Sequence, residues 1–164
     1  ISVRLVGSEM CIRDSLYTGS SFKKEDVIKL LNNTWHNFEE QDLIKITQIK
    51  QSTSILELYH GPTAAFKDFG LQLAAAFFNK TLQTQNKTAI VFGATSGDTG
   101  SAAIDACKDF DVIKSFILIP HGNMSEIQRK QMTTVQSPNV HPIIVDGTFD
   151  DCQDIVKNLS LIHI

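Results

Sequence analysis

The chain has 164 residues, 42% of them hydrophobic and 20% charged, a globular composition too apolar for intrinsic disorder. A net charge of −3, with no basic stripe and no basic–aromatic interleaving, speaks against a nucleic-acid partner. The longest apolar runs, such as Phe116 to Pro120, are strand-sized and too short to span a bilayer, so no membrane partner is expected.

In chain order, residues 1–15 (ISVRLVGSEMCIRDS) lack the basic, apolar and small-residue order of a leader. Together with 160–164 (SLIHI) they are expected to be translated sequencing adapter, non-native and set aside from the fold. Ser21 to Phe38 carries Val27, Ile28, Leu30 and Leu31 at helical spacing and predicts a short amphipathic helix. Ile44 to Ile49 alternates apolar and polar as a strand does, and Ile55 to Tyr59 is a second strand, closed by the Gly61-Pro62 turn signal. Phe66 to Leu82 reads as a helix, with Phe69, Leu73, Ala76, Phe77 and Lys80 marking its turns. Then follow a buried strand at Thr88–Phe92, a helix rich in small residues at Gly100–Phe110 and a strand at Phe116–Ile119 ended by Pro120. Ser125 to Val135 is a helix with Ser125 as N-cap. Val140 to Val145 is a strand that Pro142 confines to an edge or an early position. Thr148 to Leu159 is a helix opened by Thr148 and Asp151 in capping-box relation.

This alternation with short links implies an α/β fold, a parallel sheet with helices on both faces in three layers. Ligands of such folds sit at the carboxyl ends of the strands. Two loops are expected there, His60–Lys67 after one strand and Gly93–Thr99 after the next.

Cys11, Cys107 and Cys152 form no metal spacing and no even-numbered framework, which fits buried thiols in a reducing compartment. A cytoplasmic location is the expectation, with organelle targeting left open. His36, His60, His121, His141 and His163 do not pair at ligand spacing, so no metal is expected.

The loop GATSGDTG (93–100) joins a strand to a helix, and N–H groups at a helix start, reinforced by the Ser96 and Thr99 hydroxyls, make an anion site. Gly97 and Gly100 would let a ligand approach the backbone. The plain alternative is a capped turn without ligand. Asp98 follows Gly97 where a Walker loop needs Lys, and only half of a dinucleotide fingerprint is present, so neither ATP nor NAD is indicated.

Lys67 stands between Phe66 and Asp68-Phe69 at the start of a helix, the end whose dipole disfavours cations. Either it reaches into water or pairs, as most lysines do, or it is kept neutral for chemistry. A desolvated, neutral amine is the form that attacks a carbonyl to make a Schiff base. A nucleophilic lysine facing an anion loop is what a pyridoxal phosphate enzyme acting on an amino acid needs. The residues by themselves lead to a candidate Schiff-base site and no further.

Four blocks carry a family resemblance: ELYHGPTAAFKDFG (57–70), GATSGDTGSAA (93–103), SEIQRKQMTTV (125–135) and VDGTFDDCQDIVK (145–157). In order and spacing, residues 16–159 resemble the threonine synthases of bacteria and fungi. The resemblance implies fold type II of the pyridoxal phosphate enzymes, the tryptophan synthase β-like fold, in incomplete form. It assigns 16–54 to an N-terminal segment and 55–159 to part of the cofactor-binding α/β domain. The implied reaction converts O-phosphohomoserine and water to L-threonine and phosphate, with pyridoxal 5'-phosphate as cofactor.

By the same resemblance Lys67 matches the lysine that holds the cofactor and later moves protons. Thr95, Ser96, Gly97 and Thr99 match the loop that grips the substrate carboxylate. Asp98 stands where many relatives carry Asn beside the cofactor's ring hydroxyl, and two acidic oxygens in contact there would share a proton. The family's phosphate cup and its partner to the pyridine nitrogen lie further along than this chain extends, so the chain alone is expected to bind cofactor weakly and turn over nothing.

Arg129 and Lys130 either reach substrate phosphate or form a solvated helix face with a Glu126–Arg129 pair. Thr133 and Thr134 either line the site or pack, and His60 either shapes the lysine loop or is locally hydrogen-bonded. The rivals are a threonine-synthase-like phospho-lyase releasing a 2-keto acid, ammonia and phosphate, and a non-catalytic α/β anion-binding module. The sequence leaves the oligomeric state open.

Overall fold

The computed structural model describes residues 21–39, 43–122 and 124–161. The terminal stretches 1–15 and 162–164, with Cys11 and His163, lie outside the described residues. The chain divides between Phe69 and Gly70 into two compact units.

The first unit opens with helix α1, Lys24–Trp35, whose Glu25 and Asp26 favour the positive end of the helix dipole. Val27 and Leu31, one turn apart, are its buried residues. Beyond it, Phe38 meets Phe69 edge-on at 5.0 Å, and the Trp35 indole N–H donates to the Phe69 carbonyl at 3.3 Å. Strands β1 (Lys45–Lys50) and β2 (Thr53–Glu57) form an antiparallel pair with Ile46 opposite Leu56 and Thr47 opposite Ile55.

Here the structure corrects the expectation for Ile55–Tyr59. That segment does not lead the parallel sheet: the strand ends at Glu57 and belongs to a separate two-stranded sheet. The reason is the link. Only Gln51 and Ser52 separate the strands, which closes a hairpin, so β2 takes β1 as its neighbour.

Helix α2, Lys67–Gln85, begins in the first unit and continues into the second. There β3 (Ala89–Ala94), α3 (Asp98–Cys107), β4 (Ile113–Pro120), α4 (Glu126–Thr133), β5 (Val140–Val145) and α5 (Phe149–Leu161) follow in strict alternation. The strands lie in the order β3-β4-β5, all parallel, with Ala89 beside Ile113 and Ser115 beside Val140. Pro142 falls on an edge strand, and Pro120 is the last residue of β4, as their missing N–H groups require.

One face of β4 is covered by two clusters. Ile113 packs with Ala75 and Leu82 of α2 and with Ala106 and Cys107 of α3. Ile117 and Ile119 pack with Ile104 of α3, Met132 of α4 and Val140. Helix α5 packs on β3 and β4 as well; since α3 already occupies the first face there, α5 covers the other. This completes the three layers of an α/β fold.

A buried amide ties the α3–β4 turn. Asn139 Nδ2 donates to the carbonyls of Cys107 (2.8 Å), Phe110 (3.1 Å) and Ile113 (2.8 Å). Among the described residues no helix is long and apolar enough to cross a membrane.

Candidate active site

The candidate residues fall on two loops, one in each unit. The lysine loop begins where β2 ends, at Glu57, whose side chain is 9% exposed. The carboxylate accepts from the Thr47 hydroxyl, from the Tyr59 hydroxyl at 2.9 Å and from His60 Nε2 at 2.9 Å. The Lys45 ammonium stands 3.8 Å away. These groups, with the Thr47 and then the His60 hydrogen bond foremost, hold the Glu57 carboxyl down at about 2. A carboxylate only accepts, so His60 carries its proton on Nε2. His60 is thus both locally hydrogen-bonded and part of what anchors the loop.

Past Gly61-Pro62 the chain turns, with the Ala64 N–H on the Gly61 carbonyl at 3.0 Å and Ala64 at φ 56°. The turn is locked from the far side by Asp68, which is fully buried. Its Oδ2 accepts the Thr63 N–H at 2.9 Å and its Oδ1 the Thr63 hydroxyl at 2.6 Å. Gly61 makes room for it: a Cβ there would lie 2.5 Å from Asp68 Oδ2 and 2.6 Å from Asp68 Cβ.

Lys67 is the first residue of α2, half-buried, with Nζ 5.6 Å from the centre of the Phe66 ring. No ion pair among the described residues includes it. A cation over an aromatic face within about 6 Å is a favourable contact that leaves the amine untied to any acid.

The second loop sits at the carboxyl end of β3, in the place where parallel folds bind ligands. Thr95 is turned inward. Its N–H donates to the Leu118 carbonyl at 3.0 Å, and its hydroxyl accepts the N–H of Gly97 (3.2 Å) and of Gly100 (2.9 Å) while donating to the Gly97 carbonyl (3.1 Å). The N-cap is Gly97, and α3 starts at Asp98, two residues before the expected Gly100; the Thr95 hydroxyl, outside the helix, satisfies the Gly100 N–H of its first turn. A Cβ at Gly100 would come 2.2 Å from Thr95 Cγ2 and 2.7 Å from Met132 Sδ, so only glycine admits this packing.

Ser96 and Thr99 are different. Both are exposed, and neither hydroxyl has a hydrogen bond to a described residue. With Gly97 and Gly100 satisfied by Thr95, the N–H groups of Asp98 and Thr99 are the first-turn donors without a partner among the described residues. Asp98 is exposed and accepts Gln128 Nε2 on its Oδ1 at 2.5 Å.

Residues 45–161 match the family described as pyridoxal-phosphate dependent enzymes. The chain belongs to that family. It is 43% identical over 141 residues to the threonine synthase of Pseudomonas aeruginosa, covering 86% of this chain and 30% of that protein. It is 46% identical over 142 residues to the threonine synthase of Saccharomyces cerevisiae, covering 81% of this chain and 28% of that protein. The crystal structure of a pyridoxal-phosphate-bound threonine synthase from Brucella melitensis superposes with a TM-score of 0.88 at 35% identity, over 96% of this chain and 35% of that one. The chain therefore spans about a third of the length of the relatives it matches.

The residues present suit a pyridoxal-phosphate dependent enzyme. A carbonyl cofactor needs a primary amine not tied to an acid, and Lys67 meets that among the described residues. An amino-acid carboxylate needs open donors at a helix start, which Ser96, Asp98 and Thr99 offer.

Several of the outer candidates have local partners. Glu126 pairs with Lys130 at 2.7 Å, one full turn away, in place of the expected Glu126–Arg129 pair. Lys130 and Glu126 side chains are both more than half exposed, so this is a solvated face. The Thr133 and Thr134 hydroxyls donate to the carbonyls of Arg129 (2.8 Å) and Lys130 (2.7 Å). Asp151 serves the helix start, accepting the Thr148 N–H and hydroxyl at 2.7 Å each, which keeps its carboxyl below the usual range.

Sequence reasoning missed Asp68, Glu57 and Gln128. A signal existed for Asp68, an acid in the first turn of a helix five residues after a threonine. For Gln128 the spacing to Ser125 signals a capping box, but nothing signals its contact with Asp98, thirty residues back.

Proposed function

We propose that the intact protein is a threonine synthase, converting O-phosphohomoserine and water to L-threonine and phosphate. The observation that carries this reading is Lys67: a half-buried amine without an acidic partner among the described residues, on a loop clamped by Asp68, within a chain similar to threonine synthases. Pyridoxal phosphate, when bound, supplies an electron sink for the carbanion formed at the substrate Cα.

Lys67 would hold the cofactor through its amine and would move protons at the substrate carbons. Ser96, Thr99 and the open N–H groups of the first α3 turn bind the substrate carboxylate. Thr95 and Gly97 belong to the same grip, Thr95 by shaping the loop with its inward hydroxyl and Gly97 by letting the ligand come close. Asp98 would stand beside the ring of the bound cofactor.

The test uses the intact protein incubated with pyridoxal phosphate and reduced with borohydride. A mass adduct on the peptide containing Lys67, lost in Lys67→Ala, supports the reading; an unmodified Lys67 refutes it. With O-phosphohomoserine as substrate, threonine and phosphate are the expected products. A 2-keto acid with ammonia would assign the phospho-lyase reaction instead.

A further inference from the structure

Gln128, third residue of α4, has neither end of its amide idle. Its Oε1 accepts the Ser125 N–H at 3.3 Å and the Ser125 hydroxyl at 3.0 Å, completing a capping box. Its Nε2 therefore faces away from the cap and donates to Asp98 Oδ1 at 2.5 Å. The reversed amide would aim an oxygen at a carboxylate and a nitrogen at an N–H, losing both bonds, so the network fixes the orientation. The path between the two residues runs past Gly97, where a Cβ would lie 2.9 Å from Gln128 Nε2 and 3.3 Å from its Cδ. Gly97 thus leaves a lane for the glutamine.

We propose that Gln128 is a positioning residue for the cofactor site: by occupying Asp98 Oδ1 it leaves Oδ2 as the oxygen offered to the ring of bound pyridoxal phosphate. The inference rests on the proposed function, in particular on Asp98 facing that ring. Asp98 is exposed and lies at the first residue of its helix, so without a second anchor its carboxylate would rotate among several orientations. The capping box makes Gln128 a rigid anchor, because the same amide is held at its other end.

Gln128→Glu separates this role from helix capping. Glutamate keeps the acceptor that the Ser125 N–H needs, and it replaces the donor to Asp98 by a second carboxylate. In the intact protein, Gln128→Glu is expected to weaken pyridoxal phosphate binding about tenfold, the effect of losing one charge-assisted hydrogen bond. It is also expected to change the visible circular dichroism of the bound cofactor, and Asp98→Asn is expected to change it in the same way. Ser125→Ala removes the hydroxyl but keeps the Ser125 N–H on Oε1, so the amide stays held at that end and both readouts stay at the wild-type value. Gln128→Asn, too short to span both partners, is the second variant and behaves as Gln128→Glu. Cofactor affinity within twofold of wild type and an unchanged dichroic band in both Gln128 variants overturn the inference. A wild-type protein without a Lys67 adduct would instead sink the proposed function itself.

Discussion

Asp68 and Thr63 grip each other twice, carboxylate oxygen to N–H at 2.9 Å and carboxylate oxygen to hydroxyl at 2.6 Å, across the turn that precedes Lys67. The carboxylate is fully buried and sits in the first turn of α2, where the helix dipole favours it. The residue beside the proposed reactive amine is thus the one that fixes the loop. Asp68→Ala removes both hydrogen bonds of a buried carboxylate to Thr63 and should destabilise the protein by about 1–3 kcal/mol. Thermal unfolding of Asp68→Ala, Thr63→Val and the double variant measures it. A double variant no worse than Asp68→Ala alone confirms the coupling, and additive losses refute it.

Glu57 sets a pH dependence on the strand that leads into this loop. Its carboxyl has an ordinary value of 4.5 and is held at about 2 in the fold. A depressed carboxyl contributes stability that is complete above 4.5 and lost as pH falls towards about 2. Glu57→Gln removes that contribution. Its unfolding midpoint should lie below wild type near neutral pH, and the two curves should converge across this acid window. Parallel curves from neutrality to pH 2 would show that the Thr47, His60 and Tyr59 bonds do not favour the ionised form.

What could be read from the chain alone was local chemistry. Ser125 and Thr148 announce their helices because a capping side chain acts within three residues. Pro142 marks an edge strand because a missing N–H is a property of one residue. Pairing is not local, so Ile55 looked like the first strand of the parallel sheet although Thr47 is its neighbour. For the candidate site the residue types at 95–99 were legible, but their orientations were not. Two threonines four apart read alike; one points inward onto the Gly100 N–H and the other is exposed.

Asn139 illustrates the same limit and yields a prediction of its own. Its amide serves three carbonyls that lie 26 to 32 residues earlier, at the end of α3 and the start of β4. No spacing rule connects them. Asn139→Ala strips those carbonyls of a buried donor and should cost about 1–3 kcal/mol. Asn139→Asp should do no better, because a carboxylate accepts where a donor is required. Chemical denaturation of the two variants checks this; an Asp variant as stable as wild type would mean that water satisfies the carbonyls.

The inward and outward threonines separate folding from binding. Thr95→Val removes the acceptor for Gly97 N–H and Gly100 N–H, and Gly100 is buried, so stability should fall by about 1–2 kcal/mol. Ser96→Ala and Thr99→Val remove hydroxyls that bond no described residue, so their stability should stay within about 0.5 kcal/mol of wild type. In the intact enzyme the same two substitutions should raise KM for O-phosphohomoserine roughly tenfold, as the loss of a hydrogen bond to a charged group does. The melting temperature and KM should therefore move in different variants. If Ser96→Ala and Thr99→Val leave KM untouched, the helix start is an ordinary capped turn and the carboxylate grip lies elsewhere.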